Sequence, residues 1–459
     1  METKFENLEL KSELLTNLKE LKYETMTPIQ AQGLPFVLDG RDVIGRAKTG
    51  SGKTAAFALG ILNSLDTGSQ NIHSLVLCPT RELADQVATE TRKLARMLKN
   101  VKVMTICGGT SEYHQEKSLS HGAHIIVGTP GRVLRLLKKK TLNLSLVNTF
   151  VLDEADRMLD MGFHDDIMHI ATYLPKVRQT LLFSATYPED IQKLGEKVQK
   201  DAEHVKVDTD HEENTISQMF FELQSHKDKN DAVLKILDKY RPDRFIIFCK
   251  TKIITDQVAA FLNKNGIYAG SIHGDLMQNE RTVVMTMFAN RSLSALVATD
   301  VAARGLDIQG LAAVINYDLP SDPEVYVHRV GRTGRAGETG LAFSLYVEQE
   351  HGKLDAIEDY SNKNIKIEDI SAIEVDSQYD LIPEMKTMYI SGGKKDKLRP
   401  GDILGALVNE AKLESADVGD INIMNVLSYV AIKEDKIEQA ISKLRNGRIK
   451  NRRFRVGHA

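Results

Sequence analysis

A glycine-rich segment near the start of the chain separates an apolar segment from a helical one. Residues 47–54 read Ala-Lys-Thr-Gly-Ser-Gly-Lys-Thr, between the strand-like Asp42–Gly45 and the helical pattern of Ala55–Leu65. Glycines let a backbone curl around phosphates, so that its N–H groups and the helix N-terminus face negative charge. This arrangement predicts an α/β domain that binds nucleotide phosphates. The residues expected around the phosphates are Thr49, Gly50, Ser51, Gly52, Lys53 and Thr54.

The surrounding pattern predicts two parallel-sheet domains. Short segments that are apolar at nearly every position alternate with amphipathic ones, which is typical of strands buried on both faces and covered by helices. The alternation restarts after a polar break at Asp208–Asn214, so we expect tandem α/β domains at residues 1–208 and 215–367 with a ligand cleft between them. The predicted strands are Asp42–Gly45, Ser74–Cys78, Val101–Ile106, His124–Val127, Thr149–Leu152, Thr180–Phe183, Phe245–Cys249, Tyr268–Ile272, Ala295–Ala298, Ala313–Asn316 and Leu341–Tyr346.

The last part of the chain predicts a third, smaller domain. After a linker at residues 368–383, residues 384–459 have the βαββαβ order of an α+β, RRM-like domain. Residues 386–459 carry 15 Lys and Arg against 9 Asp and Glu, whereas the whole chain has a net charge of −3. This imbalance favours a polyanionic partner, although a solvated basic face has the same composition. The predicted elements are the strands Lys386–Ile390, Ile421–Met424, Tyr429–Ile432 and Arg453–Val456 and the helices Pro400–Ala411 and Glu434–Leu444.

Neither a membrane segment nor a disulfide framework is predicted. No apolar run approaches the ~18–20 residues that cross a bilayer, and Met1–Leu10 is acidic where a signal peptide is basic. Cys78, Cys107 and Cys249 stand singly, as small buried residues do in a reducing compartment. We expect a cytoplasmic protein.

Two carboxylates follow the predicted strand Thr149–Leu152. A carboxylate at such a strand end, beside the phosphate loop, suits a magnesium ion, so we expect Asp153 and the Thr54 hydroxyl to be its ligands. Glu154 is placed to orient and deprotonate an attacking water. An acidic helix N-terminus is the alternative interpretation, because the helix dipole favours acids there. Together with the phosphate loop and Lys53, these residues predict a magnesium-dependent ATPase.

Asp153-Glu154-Ala155-Asp156 spells DEAD in one-letter code, and over residues 1–365 the chain resembles the DEAD-box RNA helicases. The resemblance implies two RecA-like domains. Thr27 and Gln30 are similar to the family's adenine-reading motif, in which a Gln amide pairs with both the donor and the acceptor edge of the base. Phe5 stands where the family stacks a ring on adenine. The departures nearby, Lys22 and Met26 where Gly and Pro are usual, leave the reading group in place.

The same resemblance implies nucleotide-site residues in the second domain. Arg332 and Arg335 look like the arginine fingers that reach the γ-phosphate, and their spacing of three would put them on one helix face. An exposed basic helix is the alternative. Asp307 is similar to the family's ribose contact. The residues that resemble those coupling ATP turnover to strand opening are Ser184, Thr186 and His328, although the residues alone fit a polar strand end at 184–186 equally well.

Several strand-to-helix junctions resemble the family's contacts to one RNA strand. Such junctions expose N–H groups suited to phosphates, and arginines add charge. Any one of them alone is an ordinary turn, but they occur in the family's order. The expected contacts, directed to the RNA backbone, are Arg81, Gly109, Thr129, Gly131 and Arg132 in the first domain and Gly274, Gln278, Arg281 and Thr299 in the second.

The basic C-terminal part closely resembles the RNA-binding domain of DbpA-type helicases, beginning at Ser391–Asp402. In that group the domain recognises a hairpin of large-subunit (23S) ribosomal RNA. Tyr429 is a candidate base-stacking ring, but a role in the core or on the sheet fits as well. The residues expected to attract phosphates are Lys394, Lys395, Lys397, Arg399, Arg448, Lys450, Arg452 and Arg453.

The leading hypothesis is therefore a monomeric ATP- and Mg²⁺-dependent RNA helicase that acts in large-subunit ribosome assembly. A phosphate-loop enzyme that phosphorylates a small metabolite is one alternative, which the second RecA-like half and the paired arginines disfavour. An ATP-regulated RNA clamp that opens no duplex is the other, and it uses the same residues.

Overall fold

The computed structural model describes residues 3–47, 50–207, 216–303, 310–334, 339–361, 365–374 and 381–459. The chain forms two compact units that divide near residue 210. The first unit contains one sheet and is called lobe 1. The second contains two sheets; its larger part is called lobe 2 and its smaller part the C-terminal domain.

Lobe 1 is a parallel sheet of seven strands with helices on both faces. Its strands are β1 (Val43–Arg46), β2 (Ser74–Leu77), β3 (Val103–Ile106), β4 (Ile125–Gly128), β5 (Thr149–Leu152), β6 (Gln179–Ser184) and β7 (Glu203–Lys206), in the sheet order β3-β4-β2-β5-β6-β1-β7. Its helices are α1 (Ser12–Glu20), α2 (Pro28–Leu38), α3 (Lys53–Ser64), α4 (Arg81–Leu94), α5 (Glu112–Leu119), α6 (Pro130–Lys138), α7 (Ala155–Asp160), α8 (His164–Ala171) and α9 (Glu189–Val198).

Alternate residues of the central strands of lobe 1 enter two separate apolar cores. Val76 and Val151 belong to one core, whereas Leu75 and Phe150 belong to the other. Successive strand side chains point to opposite faces, so a strand apolar at every position serves both cores. This confirms the predicted sheet buried on both faces.

Lobe 2 repeats the architecture of lobe 1. Its strands are β8 (Ile216–Leu223), β9 (Phe245–Phe248), β10 (Ala269–Ile272), β11 (Ala295–Ala298), β12 (Ala313–Asn316), β13 (Gly340–Val347) and β14 (Ile367–Glu368), in the order β10-β11-β9-β12-β13-β8-β14. Its helices are α10 (Lys229–Tyr240), α11 (Lys252–Lys264), α12 (Gln278–Ala289), α13 (Asp300–Ala303), α14 (Pro323–Val330) and α15 (His351–Ser361). Counted along each lobe, the strand order is the same.

Every strand predicted for the two lobes is present, within two residues at each end. The prediction missed β7, β8 and β14. β7 and β14 are the last strands of their sheets and are partly polar, and β8 mixes exposed Ser217 and Glu222 with buried residues. None of the three forms the uniformly apolar run that indicated the other strands.

The C-terminal domain is a four-stranded antiparallel sheet with two helices. Its strands are β15 (Met385–Ile390), β16 (Val418–Ile423), β17 (Ser428–Lys433) and β18 (Val456–His458), in the order β16-β17-β15-β18, and its helices are α16 (Pro400–Asn409) and α17 (Ile437–Asn446). The predicted βαββαβ order is confirmed. The last strand is present, but its predicted bounds, Arg453–Val456, are wrong, because the strand runs Val456–His458. A tight turn with positive φ at Lys450 and Asn451 occupies the chain up to Arg452, and pairing with β15 begins only at Val456.

One face of this small sheet packs on its own helices, and part of the other packs on lobe 2. Met388 and Val430 lie in the core with the helices, whereas Thr387 points to the opposite face. The Thr387 hydroxyl donates to Ser292 Oγ at 2.7 Å and accepts from Asn290 Nδ2 at 2.9 Å. Ser294 Oγ donates to the carbonyl of Leu381 at 3.2 Å. The polar groups of these two surfaces therefore satisfy one another away from water.

Among the described residues, no helix is long and apolar enough to cross a membrane.

Candidate nucleotide and RNA sites

The glycine-rich segment joins β1 to α3, as the sequence predicts. Gly50 and Gly52 have φ of +83° and +93°, a backbone conformation that other residues rarely adopt. Lys53 begins α3, and its Nζ donates to the carbonyl of Ala47 across the loop at 2.6 Å. Thr54 follows on the first turn. Thr49 lies outside the described residues.

The adenine-type motif packs directly against this loop. Gln30 Nε2 donates to the carbonyl of Gly52 at 3.0 Å, and Gln30 Oε1 accepts from the amide of Thr27 at 2.9 Å. A Cβ at position 52 would lie 2.5 Å from Gln30 Nε2 and 2.7 Å from Thr27 Oγ1, so only glycine fits there. Each polar end of the Gln30 amide keeps one further hydrogen-bonding position. The amide is therefore fixed in place and can still read a base.

Two buried hydroxyls at this site lack a partner among the described residues. Thr27 Oγ1 and Ser51 Oγ are both inaccessible to water without a hydrogen bond there. Buried polar groups are nearly always paired, so these two atoms fit a polar ligand. Phe5, in contrast, is 3% exposed and packs in the apolar core of lobe 1, and its stacking on a base stays a prediction.

The two carboxylates after β5 have different surroundings. Asp153 is 2% exposed, and burial raises its pKa to about 7, although the nearby Lys53 acts to lower it. Glu154 is 4% exposed, and its Oε2 accepts from Arg157 Nη1 at 2.8 Å. Glu154 also has φ of +53°, a conformation that is uncommon outside glycine and that clusters at active sites.

Asp156 joins this segment to the strand end at β6. Its Oδ2 accepts from the amides of Ala185 and Thr186, both at 3.0 Å, and from Thr186 Oγ1 at 3.1 Å. Burial would raise the pKa of Asp156, but Ser184, Thr186 and nearby cations outweigh it, so the pKa lies below its ordinary value. The sequence pattern predicts no separate role for Asp156. Its only signal was its place in the four-residue motif.

The predicted RNA contacts of lobe 1 lie at the carboxyl ends of adjacent strands. Arg81 begins α4 after β2, and its guanidinium covers Gly109 after β3, where a Cβ would lie 1.7 Å from Nη1. After β4, Arg132 donates to Gln115 Oε1 at 2.8 Å. Thr129 and Gly131 stand at the same junction, at the start of α6. These residues therefore share one edge of the sheet.

The predicted contacts of lobe 2 occupy the corresponding edge of its sheet. Gly274 follows β10 and is exposed, and Thr299 follows the neighbouring β11. Gln278 begins α12. One turn later, Arg281 reaches the carbonyl of Ala302 with Nη2 at 3.3 Å.

The arginine at position 332 does not lie on a helix, which corrects the prediction of a shared helix face. α14 ends at Val330, because Gly331 caps it, and Arg332 occupies the following turn with an exposed fraction of 7%. His328 lies on the last turn of α14. Arg335 and Asp307 lie outside the described residues.

The C-terminal domain brings two distant basic segments together. Lys450 Nζ donates to the carbonyl of Lys397 at 2.9 Å, and Arg452 Nη2 lies 2.9 Å from Asp396 Oδ1. The ring of Phe454 closes against Gly392, where a Cβ would lie 2.4 Å away. The exposed cations gathered here, called the basic patch, are Lys394, Lys395, Lys397, Arg399, Arg448, Lys450, Arg452 and Arg453. Arg455, which the prediction omitted, is exposed on the same segment.

Tyr429 is poorly placed to stack on a base. It faces away from the domain core and pairs with Tyr389 across β15 and β17, yet it is 6% exposed. Burial also raises the pKa of its hydroxyl. The exposed basic patch is therefore the better candidate for RNA contact.

Three family models match the chain in order. The model for the DEAD/DEAH box helicase covers residues 27–194, the helicase conserved C-terminal domain covers 228–337, and the DbpA RNA binding domain covers 387–458. The chain is 48% identical over 442 residues to the ATP-dependent RNA helicase DbpA of Escherichia coli (strain K12), with 96% of each chain covered. It therefore belongs to the DEAD-box family of ATP-dependent RNA helicases, as a DbpA-like member.

Other relatives agree with this family. The DEAD-box ATP-dependent RNA helicase CshA of Bacillus subtilis (strain 168) is 45% identical over 364 residues, which cover 79% of this chain and 73% of CshA. Among solved structures, S. cerevisiae Dbp5 bound to RNA and ADP BeF3 matches with a TM-score of 0.73 at 32% identity, covering 80% of this chain and 96% of Dbp5. The protein is thus an ATP-hydrolysing enzyme that uses RNA as its partner.

Proposed function

We propose that this enzyme uses ATP to open short RNA duplexes in precursors of the large ribosomal subunit. The observation that carries the proposal is the binding of the Thr186 amide and hydroxyl by Asp156, which lies in the carboxylate segment after β5. This contact supports a lobe 1 in which a change at the nucleotide site alters the position of the coupling residues Ser184 and Thr186. The similarity to DbpA supports an RNA target that the C-terminal domain selects. The match of residues 387–458 to the DbpA RNA binding domain supports the same role.

In the ATP site, the proposed roles follow from the contacts of the side chains. The loop from Thr49 to Thr54 holds the phosphates, Gln30 reads adenine, and Glu154 takes the proton of the attacking water. Thr54 and Asp153 would hold Mg²⁺, which neutralises phosphate charge when bound. Oxygen donors of this kind fit Mg²⁺, and no cluster of three His, Cys, Asp or Glu among the described residues would form a cage of its own.

The remaining roles are proposed for lobe 2 and for the strand ends. Arg332 and Arg335 act as fingers on the γ-phosphate, Asp307 contacts the ribose, and His328 takes part in coupling with Ser184. The strand-end residues of both lobes hold the backbone of one RNA strand, so the lobes themselves have little sequence preference. We further propose that the enzyme works as a monomer in the cytoplasm.

Charge reversal in the basic patch is expected to abolish the preference for ribosomal RNA. Lys394→Glu with Lys395→Glu removes exposed cations that attract phosphates, so stimulation of ATPase by a 23S hairpin RNA should fall at least tenfold. ATPase without RNA and with an unstructured RNA should stay within about twofold. The matched control is Lys443→Glu with Arg445→Glu on α17, which changes the charge of the same domain equally. Retained preference in the patch variant would reject the targeting role.

A strand-displacement assay separates this function from an ATP-regulated clamp. The substrate is a short duplex joined to the 23S hairpin, and the readout is release of the labelled strand with ATP. Release is expected with the unchanged protein, whereas tight binding without release would favour the clamp. Release of free phosphate without any phosphorylated metabolite would exclude a small-molecule kinase.

The buried Asp153 is expected to destabilise lobe 1 as the pH rises. Its pKa is raised to about 7 in the folded protein, so the folded state holds a proton that the unfolded state loses near pH 4. Stability from this group therefore falls as the pH rises from about 4 to 7. Asp153→Asn removes the effect, so its melting temperature should exceed that of the unchanged protein by several degrees at pH 8 and by less at pH 5.5. Calorimetry without nucleotide and with EDTA measures the two melting temperatures at each pH. An equal difference between the two proteins at pH 8 and pH 5.5 would contradict the raised pKa of Asp153.

A further inference from the structure

The equal strand order of the two lobes gives Lys53 and Asp153 of lobe 1 counterparts in lobe 2. In lobe 1, Lys53 begins the first α-helix after β1, and Asp153 follows β5. At the same positions in lobe 2, Lys229 begins the first α-helix after β8, and Asp318 lies two residues after β12. Lobe 2 therefore carries a lysine and an aspartate where lobe 1 has its nucleotide site.

Lys229 and Asp318 form a buried ion pair with each other. The side chain of Lys229 is 1% exposed, and its Nζ lies 2.9 Å from Asp318 Oδ1 and 3.7 Å from Glu350 Oε2. The ring of Tyr317 covers the ammonium, with Nζ 5.4 Å from the ring centroid. A cation neutralised by two carboxylates has no charge to offer a phosphate. Buried ion pairs are costly to form and are best attested where they fix one arrangement of a structure.

The ion pair of Lys229 and Asp318 lies next to the groups that bind the guanidinium of Arg329. Its Nη1 donates to the carbonyl of Asp318 at 2.7 Å and to Asn316 Oδ1 at 3.1 Å. Its Nε and Nη2 bind the two carboxylate oxygens of Asp300 at 2.6 and 2.7 Å. The guanidinium also lies over the ring of Phe248, 4.9 Å from its centroid. These contacts hold the planar guanidinium of Arg329 in one orientation.

The turn that follows Arg329 carries Arg332. The amide of Arg332 donates to the carbonyl of Arg329 at 3.1 Å, and the carbonyl of Arg332 accepts from the amide of Leu311 at 3.3 Å. One end of the turn is therefore hydrogen-bonded to Arg329. A shift of Arg329 would move Arg332 with it.

We infer that Lys229 and Asp318 are positioning residues for ATP hydrolysis. Their ion pair fixes the position of Asp318, whose carbonyl accepts a hydrogen bond from Arg329. Arg329 in turn holds the turn that positions Arg332. The inference rests on the proposed role of Arg332 at the γ-phosphate. Misplacement of a reacting group by about 1 Å can lower a rate about 10²-fold, so the effect should appear in kcat.

The test uses the full chain with Lys229→Met, whose side chain keeps the length of lysine without its charge. RNA-stimulated kcat should fall at least tenfold, whereas KM for ATP and the affinity for RNA should stay within about twofold. Because a single change leaves Asp318 buried without its partner, the double variant Lys229→Met/Asp318→Asn is compared at the same time. The matched control is Lys366→Met, which breaks the exposed pair with Glu368 in the same lobe.

The double variant separates positioning from folding. Its melting temperature should return towards that of the unchanged protein, but kcat should stay low; full recovery of kcat would overturn the inference. Lys229→Met should also add nothing in an Arg332→Ala background, and a further loss of the same size there would overturn it. If Arg332→Ala itself hydrolyses ATP normally, the proposed finger role fails instead.

Discussion

Replacing Glu154 by glutamine is expected to lower the rate of ATP hydrolysis by about 10²–10⁴ and to leave ATP binding nearly unchanged. Glutamine keeps the shape of the side chain, but its amide cannot accept a proton from water. Glu154 is 4% exposed at the start of α7, next to the strand end that carries Asp153, so bulk water has little access and does not replace it as the proton acceptor. Single-turnover phosphate release and binding of a fluorescent ATP analogue measure the two steps separately.

The pairing of Glu154 with Arg157 requires a stability control for this variant. Glutamine removes the ion pair between Glu154 and the buried Arg157, so the melting temperature has to be followed alongside the rate. Glu189→Gln is the matched substitution, since it breaks only the exposed pair with Lys193 on the same lobe. Normal turnover by Glu154→Gln would reject Glu154 as the general base.

Replacing Arg332 by alanine is expected to lower kcat for ATP hydrolysis by about 10³–10⁵, the range for arginine fingers in related phosphoryl transfer. KM for ATP should change little, because the loop and Gln30 of lobe 1 supply the ground-state contacts. The two backbone hydrogen bonds of Arg332 do not involve its side chain, so the turn should keep its fold. RNA-stimulated phosphate release under saturating ATP gives the result.

A lysine at the same position distinguishes charge from geometry. Arg332→Lys keeps the charge but loses the planar fork, so it should recover only part of the lost rate. Lys264→Ala removes an exposed charge from the same lobe and should leave the rate unchanged. An Arg332→Ala enzyme with native kcat would remove this residue from the ATP site.

The sequence pattern predicted the sheets well where burial alone decides the strand. β5 and β12 were located to the residue, because a strand buried on both faces must be apolar at each position. β8 was missed although it pairs along its whole length with β13. Exposed Ser217 and Glu222 interrupt its apolar run, so the local pattern does not indicate the strand that this pairing forms.

The same distinction applies to the candidate site. Lys53 and Asp153 were recognisable because each stands at a fixed offset from a glycine-rich turn or a strand end. The bonds from Asp156 to Ala185 and Thr186 were not, since they depend on where β6 ends relative to α7 in three dimensions. Spacing also placed Arg332 on a helix, but Gly331 ends that helix one residue earlier.

The contact at Thr387 decides how this enzyme can be recombined with its relatives. Removal of the C-terminal domain would strip the buried Asn290 and Ser292 of their partner, so a truncated enzyme differs from the parent in lobe 2 as well. A foreign helicase core fused to residues 384–459 would keep this contact only if it carried polar side chains at the positions of Asn290 and Ser292. A chimera that exchanges residues 290–294 together with the domain would keep these hydrogen bonds, so this short segment of lobe 2 belongs with the domain in any exchange.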